Sequence, residues 1–269
     1  MKLLDGKSVS EKILDSICSK VRKEGIHPHL AVFLVGDDPA SQLYVSLKEK
    51  AAKSVGIDVS LYKFAANESQ ESILECVKMM SADDEVNGIL VQLPLPQGFN
   101  TDTIIQAIDP KKDVDGFLPK SSFSPVFPKA IFLLIKSSGE DLSGKNALII
   151  ANSDEFGRTM SAMLERENIA SSYILANTVS SNLGKIKAAD VVVSAVGSPG
   201  LLRGEMFKDG AIVIDGGIEK VDGVTVGDVD FASTEEKEGF LSPVPGGVGP
   251  VTIACLLENV YSAFEAQQR

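Results

Sequence analysis

The sequence predicts an α/β protein of two domains, each built on a mainly parallel sheet. Three observations carry this expectation. The continuous apolar run at residues 30–35 and the largely apolar runs at 88–93, 146–151 and 191–195 read as strands, the first covered on both faces. These runs alternate with stretches of helical periodicity, which is the rhythm of βαβ units. The alternation breaks at a Ser- and Pro-rich segment, residues 121–128, and then restarts.

Taken in order, Ser8-Val-Ser-Glu11 resembles a capping box, Val9, Ile13, Ile17 and Val21 recur at helical spacing, and Gly25 stops the helix. A strand at 30–35 leads through Gly36-Asp-Asp-Pro39 into a helix that Ser41 can cap, with Leu43, Leu47, Ala51 and Val55 on its inner side. Residues 57–61 alternate as a strand, and a helix carrying Ile73, Val77 and Met80 follows. The strand at 88–93 ends at Pro94, and a short helix spans 103–108. Beyond the linker, a helix with Pro128 in its first turn runs to Lys136. Strands are expected at 146–151, 172–176, 191–195 and 211–215, with helices at 157–167 and 183–188 between them. That second series is the pattern of a Rossmann-type nucleotide domain. Residues 227–231 read as a loop, and the glycine-bearing loop 243–250 leads into an apolar C-terminal helix.

At 269 residues with 44% hydrophobic side chains, the chain can fill a sizeable core in two domains. Its net charge of −11 disfavours nucleic acid and anionic membranes as main partners. No apolar run approaches a membrane span, and the N-terminus turns polar at once, so no secretory signal is expected. Cys18, Cys76 and Cys255 lie far apart and read as free thiols in a reducing compartment, which implies a cytoplasmic location. His27 and His29 have no third ligand in sight, so no metal site is expected.

Ligands of open parallel sheets bind beyond the carboxyl ends of the strands. Tyr44 and Lys48 stand one turn apart on the helix after the first buried strand. On its own this pair also fits any amphipathic helix. Gln92 closes the strand 88–93, and Asp115 lies in a later loop, so the four groups can converge on one rim. Alone, Gln92 also reads as an amide bonded to backbone, and Asp115 as an Asx-type turn before Gly116. A lysine partly buried beside an amide would have its pKa lowered toward neutrality. The aspartate could accept two N–H bonds from a flat heterocycle, and the tyrosine could stack on that ring. In the second half, a helix N-terminus at Gly157 would offer N–H groups to a pyrophosphate, although the first glycine of a GxGxxG pattern is absent. The Val196-Gly-Ser-Pro-Gly200 turn could approach a cofactor closely, or be a plain tight turn.

Six segments in order along the chain carry a family resemblance. They are Val35-Gly-Asp-Asp-Pro-Ala-Ser-Gln-Leu-Tyr-Val-Ser-Leu-Lys48, Gly88-Ile-Leu-Val-Gln-Leu-Pro-Leu-Pro96, Lys112-Asp-Val-Asp-Gly-Phe117, Ala195-Val-Gly-Ser-Pro-Gly200, Gly227-Asp-Val-Asp-Phe231 and Pro243-Val-Pro-Gly-Gly-Val-Gly-Pro-Val-Thr252. Together they resemble the bifunctional methylenetetrahydrofolate dehydrogenase/methenyltetrahydrofolate cyclohydrolase (FolD-like) family. The resemblance implies a folate/catalytic domain, residues 1–120 plus 250–269, and a Rossmann-type NAD(P)-binding domain, residues 121–249, with a cleft between them. It implies oxidation of 5,10-methylenetetrahydrofolate with NADP, or NAD, then hydrolysis of the methenyl product to 10-formyltetrahydrofolate, a reaction pair that serves purine biosynthesis. A homodimer formed through the nucleotide domain is implied as well. In this reading Lys48 is the general acid/base, tuned by Gln92; Tyr44 stacks on the folate and Asp115 holds the pteridine edge. Pro245, Gly246 and Gly247 form a folate-side loop. Asn152, Ser153, Gly157, Arg158, Asn177, Thr178, Val196, Gly197 and Ile218 fall at the cofactor-binding positions.

The departures from the family pattern concentrate in the nucleotide half. Ala151 replaces a glycine, Asn152 an arginine found in many members, and Asn177-Thr178 a His-Ser or His-Arg pair. Pro125-Val-Phe-Pro128 stands for Pro-Cys-Thr-Pro, and Gly216 for a valine. Two other functions remain compatible with these changes: a cyclohydrolase with weakened cofactor binding, and a non-catalytic folate- or nucleotide-binding module.

Overall fold

A computed structural model describes residues 1–268. The elements in chain order are β1 (Lys2–Leu3), α1 (Gly6–Glu24), β2 (His29–Val35), α2 (Pro39–Val55), β3 (Asp58–Phe64), α3 (Gln70–Ala82), β4 (Gly88–Val91), α4 (Thr101–Ile105) and α5 (Val126–Ser137). Then come β5 (Asn146–Ala151), α6 (Asp154–Arg166), β6 (Ala170–Leu175), α7 (Leu183–Ala188), β7 (Val191–Ala195), β8 (Ala211–Asp215), β9 (Glu219–Val221), β10 (Val224–Val226), β11 (Gly239–Leu241) and α8 (Val248–Gln267). The chain divides into two compact units, residues 11–126 with 253–269, and residues 1–10 with 127–252. No described helix is long and apolar enough to cross a membrane.

The first of these units holds a parallel sheet in the order β3-β2-β4. Its central strand is buried almost throughout, as its unbroken apolar sequence demands, and Phe33, Ile73, Val77, Ile89, Val91 and Ile104 form the core beneath it. The α8 residues from 253 onward belong here: Asn259 donates to the carbonyl of Val114 at 2.9 Å, and Tyr261 donates to Glu24 at 3.1 Å. Lys112 is buried, and its ammonium donates to the carbonyls of Asp83 (2.6 Å) and Met80 (3.3 Å) at the end of α3. These carbonyls also accept from the amides of Asp83 and Val86, so the cation adds a charge-assisted donor to each and opposes the helix dipole. Lys112→Met is therefore expected to cost about 1.5–3 kcal/mol, the range for loss of hydrogen bonds made by a charged group. Urea denaturation checks this; an unchanged midpoint would show that water replaces the ammonium.

The second unit holds six parallel strands in the order β1-β11-β8-β7-β5-β6, and a separate antiparallel hairpin, β9-β10. The chain leaves β5 toward β6 on one side and reaches β7 on the other, so the strand order reverses at β5. That reversal is the topological switch point of a doubly wound sheet.

Several boundaries differ from those expected. Residues 1–10 belong to the six-stranded unit, because β1 extends its edge beside β11 and Leu4 donates to the Leu241 carbonyl at 2.9 Å. The breaks also fall at 126/127 and 252/253. Helix α1 starts before the Ser8 capping box, because the Asp5 carboxylate accepts from the amides of Lys7 (3.0 Å) and Ser8 (3.2 Å). Helix α4 starts at Thr101, capped by Asn100, and ends before Ile108. Helix α6 starts at Asp154, not Gly157, because the Ser153 hydroxyl accepts from the Phe156 amide.

Candidate functional site

Helix α2 presents the two residues of greatest interest. Asp38, not Ser41, is its N-cap: the carboxylate accepts from the Ser41 amide at 2.8 Å, Pro39 opens the first turn, and Gly56 closes the helix with a φ of 82°. The inner face is Ser41, Val45, Ala52 and Val55, whereas Leu43 and Leu47 are exposed. The cause is the helical pitch. A stripe of residues four apart drifts about 40° per step, so the series from Leu43 reaches the core only at Val55, while the observed set stays within about a quarter of the circumference. Tyr44 and Lys48 are each half-buried beside this face.

Gln92 follows β4 and is nine-tenths buried. Its amide nitrogen donates to the Leu93 carbonyl at 2.7 Å, and this turns the amide oxygen toward Lys48, whose ammonium donates to it at 2.9 Å. The backbone-bonded amide and the lysine partner are thus one arrangement. Burial pushes the Lys48 pKa down, and the nearby Asp115 charge pulls it partly back. Burial raises the Asp115 carboxyl to about 6, with Lys48 opposing and Asp113 reinforcing the rise. Burial also raises the Tyr44 phenol.

The turn expected at Asp115 is made by Asp113 instead. The Asp113 carboxylate accepts from the amides of Gly116 (3.1 Å) and Leu118 (2.8 Å), and its carbonyl accepts from the Ser121 hydroxyl at 2.9 Å. Asp113 is 1% exposed, and its carboxylate is spent on the loop. Asp113 is a residue that the sequence reading missed; the two aspartates stand two apart in one loop, and only the tertiary turn separates their roles.

On the six-stranded unit, Ser153 caps α6, and Gly157 packs so closely on β6 that a Cβ there would enter the Tyr173 ring. Close helix-to-strand packing is what the last glycine of a dinucleotide fingerprint provides. Tyr173 donates to Asp154 at 3.0 Å and receives Arg158 Nε at 3.5 Å. Asn177 and Thr178 lie in a 3-10 turn after β6, where the Thr178 hydroxyl donates to the Leu175 carbonyl at 2.7 Å. Asn152 reaches from the end of β5 to the Val196 carbonyl after β7, at 3.5 Å, across the switch point. Gly197 has a φ of 77°, and the exposed Ile218 follows β8. These groups gather at the carboxyl ends of adjacent strands and fit a dinucleotide. Pro245, Gly246 and Gly247 belong to this unit too, where the backbone of Gly246 and Gly247 leaves no room for a Cβ on Gly6. Among the described residues no group of three His, Cys, Asp or Glu could hold a metal.

Fold and site define an α/β enzyme with a doubly wound, nucleotide-type sheet in one unit and a desolvated lysine–amide–carboxylate group in the other. Residues 4–115 match the family model described as tetrahydrofolate dehydrogenase/cyclohydrolase, catalytic domain, and residues 125–268 match the corresponding NAD(P)-binding domain. The chain is 41% identical to the bifunctional protein FolD of Campylobacter concisus, covering 99% of each. The crystal structure of the bifunctional enzyme FolD, methylenetetrahydrofolate dehydrogenase/cyclohydrolase, from Campylobacter jejuni superposes with a TM-score of 0.92 at 41% identity over 99% of each chain. The Trypanosoma brucei enzyme, solved with NADP cofactor and inhibitor, superposes at 0.93 with 32% identity over 99% of this chain and 98% of that one. The chain belongs to the tetrahydrofolate dehydrogenase/cyclohydrolase (FolD) family.

Proposed function

We propose that the chain oxidises 5,10-methylenetetrahydrofolate with NADP, or NAD, and hydrolyses the resulting 5,10-methenyltetrahydrofolate to 10-formyltetrahydrofolate. The observation that carries this reading is the 2.9 Å contact of Lys48 with an oriented Gln92, beside the Asp115 carboxyl. The dinucleotide, when bound, supplies the hydride acceptor. The chain's own residues supply position and proton transfer. Methenyltetrahydrofolate is a delocalised cation, so a permanently charged lysine against it would be unfavourable. Lys48, biased toward its neutral form by burial, can take a proton from the water that attacks the methenyl carbon. Gln92 fixes the direction of the Lys48 nitrogen, Tyr44 stacks on the flat ring, and ionised Asp115 accepts two N–H bonds from the pteridine edge. Pro245, Gly246 and Gly247 form a folate-side loop.

Asn152, Ser153, Gly157, Arg158, Asn177, Thr178, Val196, Gly197 and Ile218 line the dinucleotide in this reading, supported by their gathering at the switch point. The family resemblance also supports a cytoplasmic homodimer that supplies formyl groups to purine biosynthesis; light scattering of the purified chain tests the dimer. The primary test is purified protein with methylenetetrahydrofolate and each oxidised dinucleotide, following reduced cofactor and methenyl product optically. No reduction with either removes the dehydrogenase. One observation favours a second reading, a cyclohydrolase that has lost its cofactor: Asp154 and Glu155 place negative charge in the first turn of α6, where a pyrophosphate would sit. Tight dinucleotide binding in calorimetry excludes it.

A further inference from the structure

Two carboxylates on the six-stranded unit take no part in the chemistry above, yet both are buried: Asp228 is 0% exposed and Asp215 is 3%. Among the described residues, the donors to these carboxylates are backbone amides with one exception. Asp228 accepts from the Ser194 hydroxyl at 2.6 Å, the Val196 amide at 2.8 Å and the Ser198 amide at 2.7 Å. Asp215, at the end of β8, accepts from the amides of Gly217 (3.0 Å), Asp228 (3.0 Å) and Val229 (2.8 Å). The two are therefore coupled through the Asp228 amide. Space for them is made by glycine. A Cβ on Gly217 would strike the Asp228 carboxylate, and one on Gly227 would strike that of Asp215. Burying two carboxylates is costly unless their lone pairs are used, and here the donors are loop amides and one hydroxyl rather than cations.

The loops so held are 196–198, after β7, and 216–218, after β8. They carry Val196, Gly197 and Ile218, the groups assigned above to the dinucleotide. We propose that Asp228, backed by Asp215, is a positioning residue for the dinucleotide: its carboxylate sets the backbone of the 196–198 loop against the ligand. The proposal rests on the functional reading given above. Asparagine at 228 would turn an NH2 toward either the Val196 or the Ser198 amide, so one loop bond is lost and two donors face each other.

The experiment exploits the fact that the hydrolysis of methenyltetrahydrofolate needs no dinucleotide. NADPH and NADH are titrated by fluorescence into the parent, Asp228→Asn and Ser194→Ala, with hydrolysis and melting temperature measured on the same samples. The Asp228→Asn protein is expected to bind the preferred dinucleotide at least about tenfold more weakly, the scale of effect produced by small misplacements of a binding group, and to raise its KM in parallel while hydrolysis stays at the parent rate. Ser194→Ala removes one donor and leaves both amide bonds, so a smaller weakening of about two- to threefold is expected. Folded Asp228→Asn with parent affinity overturns the proposal. So does a parallel fall in hydrolysis and affinity, which marks a general packing role. Where Asp228→Asn does not fold, Ser194→Ala decides: weakened binding with intact hydrolysis supports the proposal, and parent affinity overturns it. A parent that binds neither dinucleotide instead defeats the functional reading itself, a failure visible before any variant is made.

Discussion

Replacement of Lys48 by methionine is expected to lower the hydrolysis of methenyltetrahydrofolate by about 10²- to 10⁴-fold, the range that a positioned acid–base group contributes. Methionine keeps much of the side chain's volume and removes only the nitrogen that meets Gln92. Burial disfavours the ammonium, so the variant should melt no lower than the parent. Lost activity in a stable protein separates chemistry from folding. Parent-like hydrolysis by the variant would remove Lys48 from the mechanism. Gln92→Leu frees the lysine from its acceptor and should fall between the two, because the nitrogen remains but is no longer aimed.

Asp115→Asn should raise the KM for both folate substrates by about 10- to 100-fold, since a site built to accept two N–H bonds is left with one acceptor and one misplaced donor. The pH profile gives the same residue a second signature. The parent's Asp115 titrates near pH 6, and only the carboxylate accepts both bonds, so kcat/KM for the folate should fall as pH drops below about 6. That acid limb should vanish in Asp115→Asn. The stability sign runs the other way. A carboxyl raised from 3.8 to about 6 in the folded protein favours folding below its unfolded value, and this contribution is lost as pH rises through 6. Asp115→Asn is therefore expected to be more stable than the parent at neutral pH and not at pH 4, as chemical denaturation at the two pH values would read. An acid limb that persists in the variant would assign it to another group.

Much of this was legible in the chain because the informative parts are local. The strands β2, β4, β5, β7 and β8 are predominantly apolar runs, and a run buried on both faces needs no partner to be recognised. Strands of two or three residues, β1, β9, β10 and β11, have no period to read, and β1 is defined only by its pairing with β11 more than two hundred residues away. Helix starts failed where two caps compete within a turn, as Asp5 does with Ser8 and Asp38 with Ser41. Around the lysine, Tyr44, Gln92 and Asp115 could be named from strand ends and motif. The roles of Asp113, Asp215 and Asp228 could not, because an aspartate in a loop looks the same whether it faces water or collects distant amides.

The division of the chain has a practical corollary for engineering. Each compact unit is stitched from two separate stretches, 11–126 with 253–269 and 1–10 with 127–252. Cutting the gene once, at the 126/127 boundary, yields no complete module. The front fragment would lack the part of α8 that supplies Asn259 and Tyr261, and the back fragment would lack the strand that edges its sheet. Transplanting either half between relatives thus requires every crossing of the boundary to be rejoined.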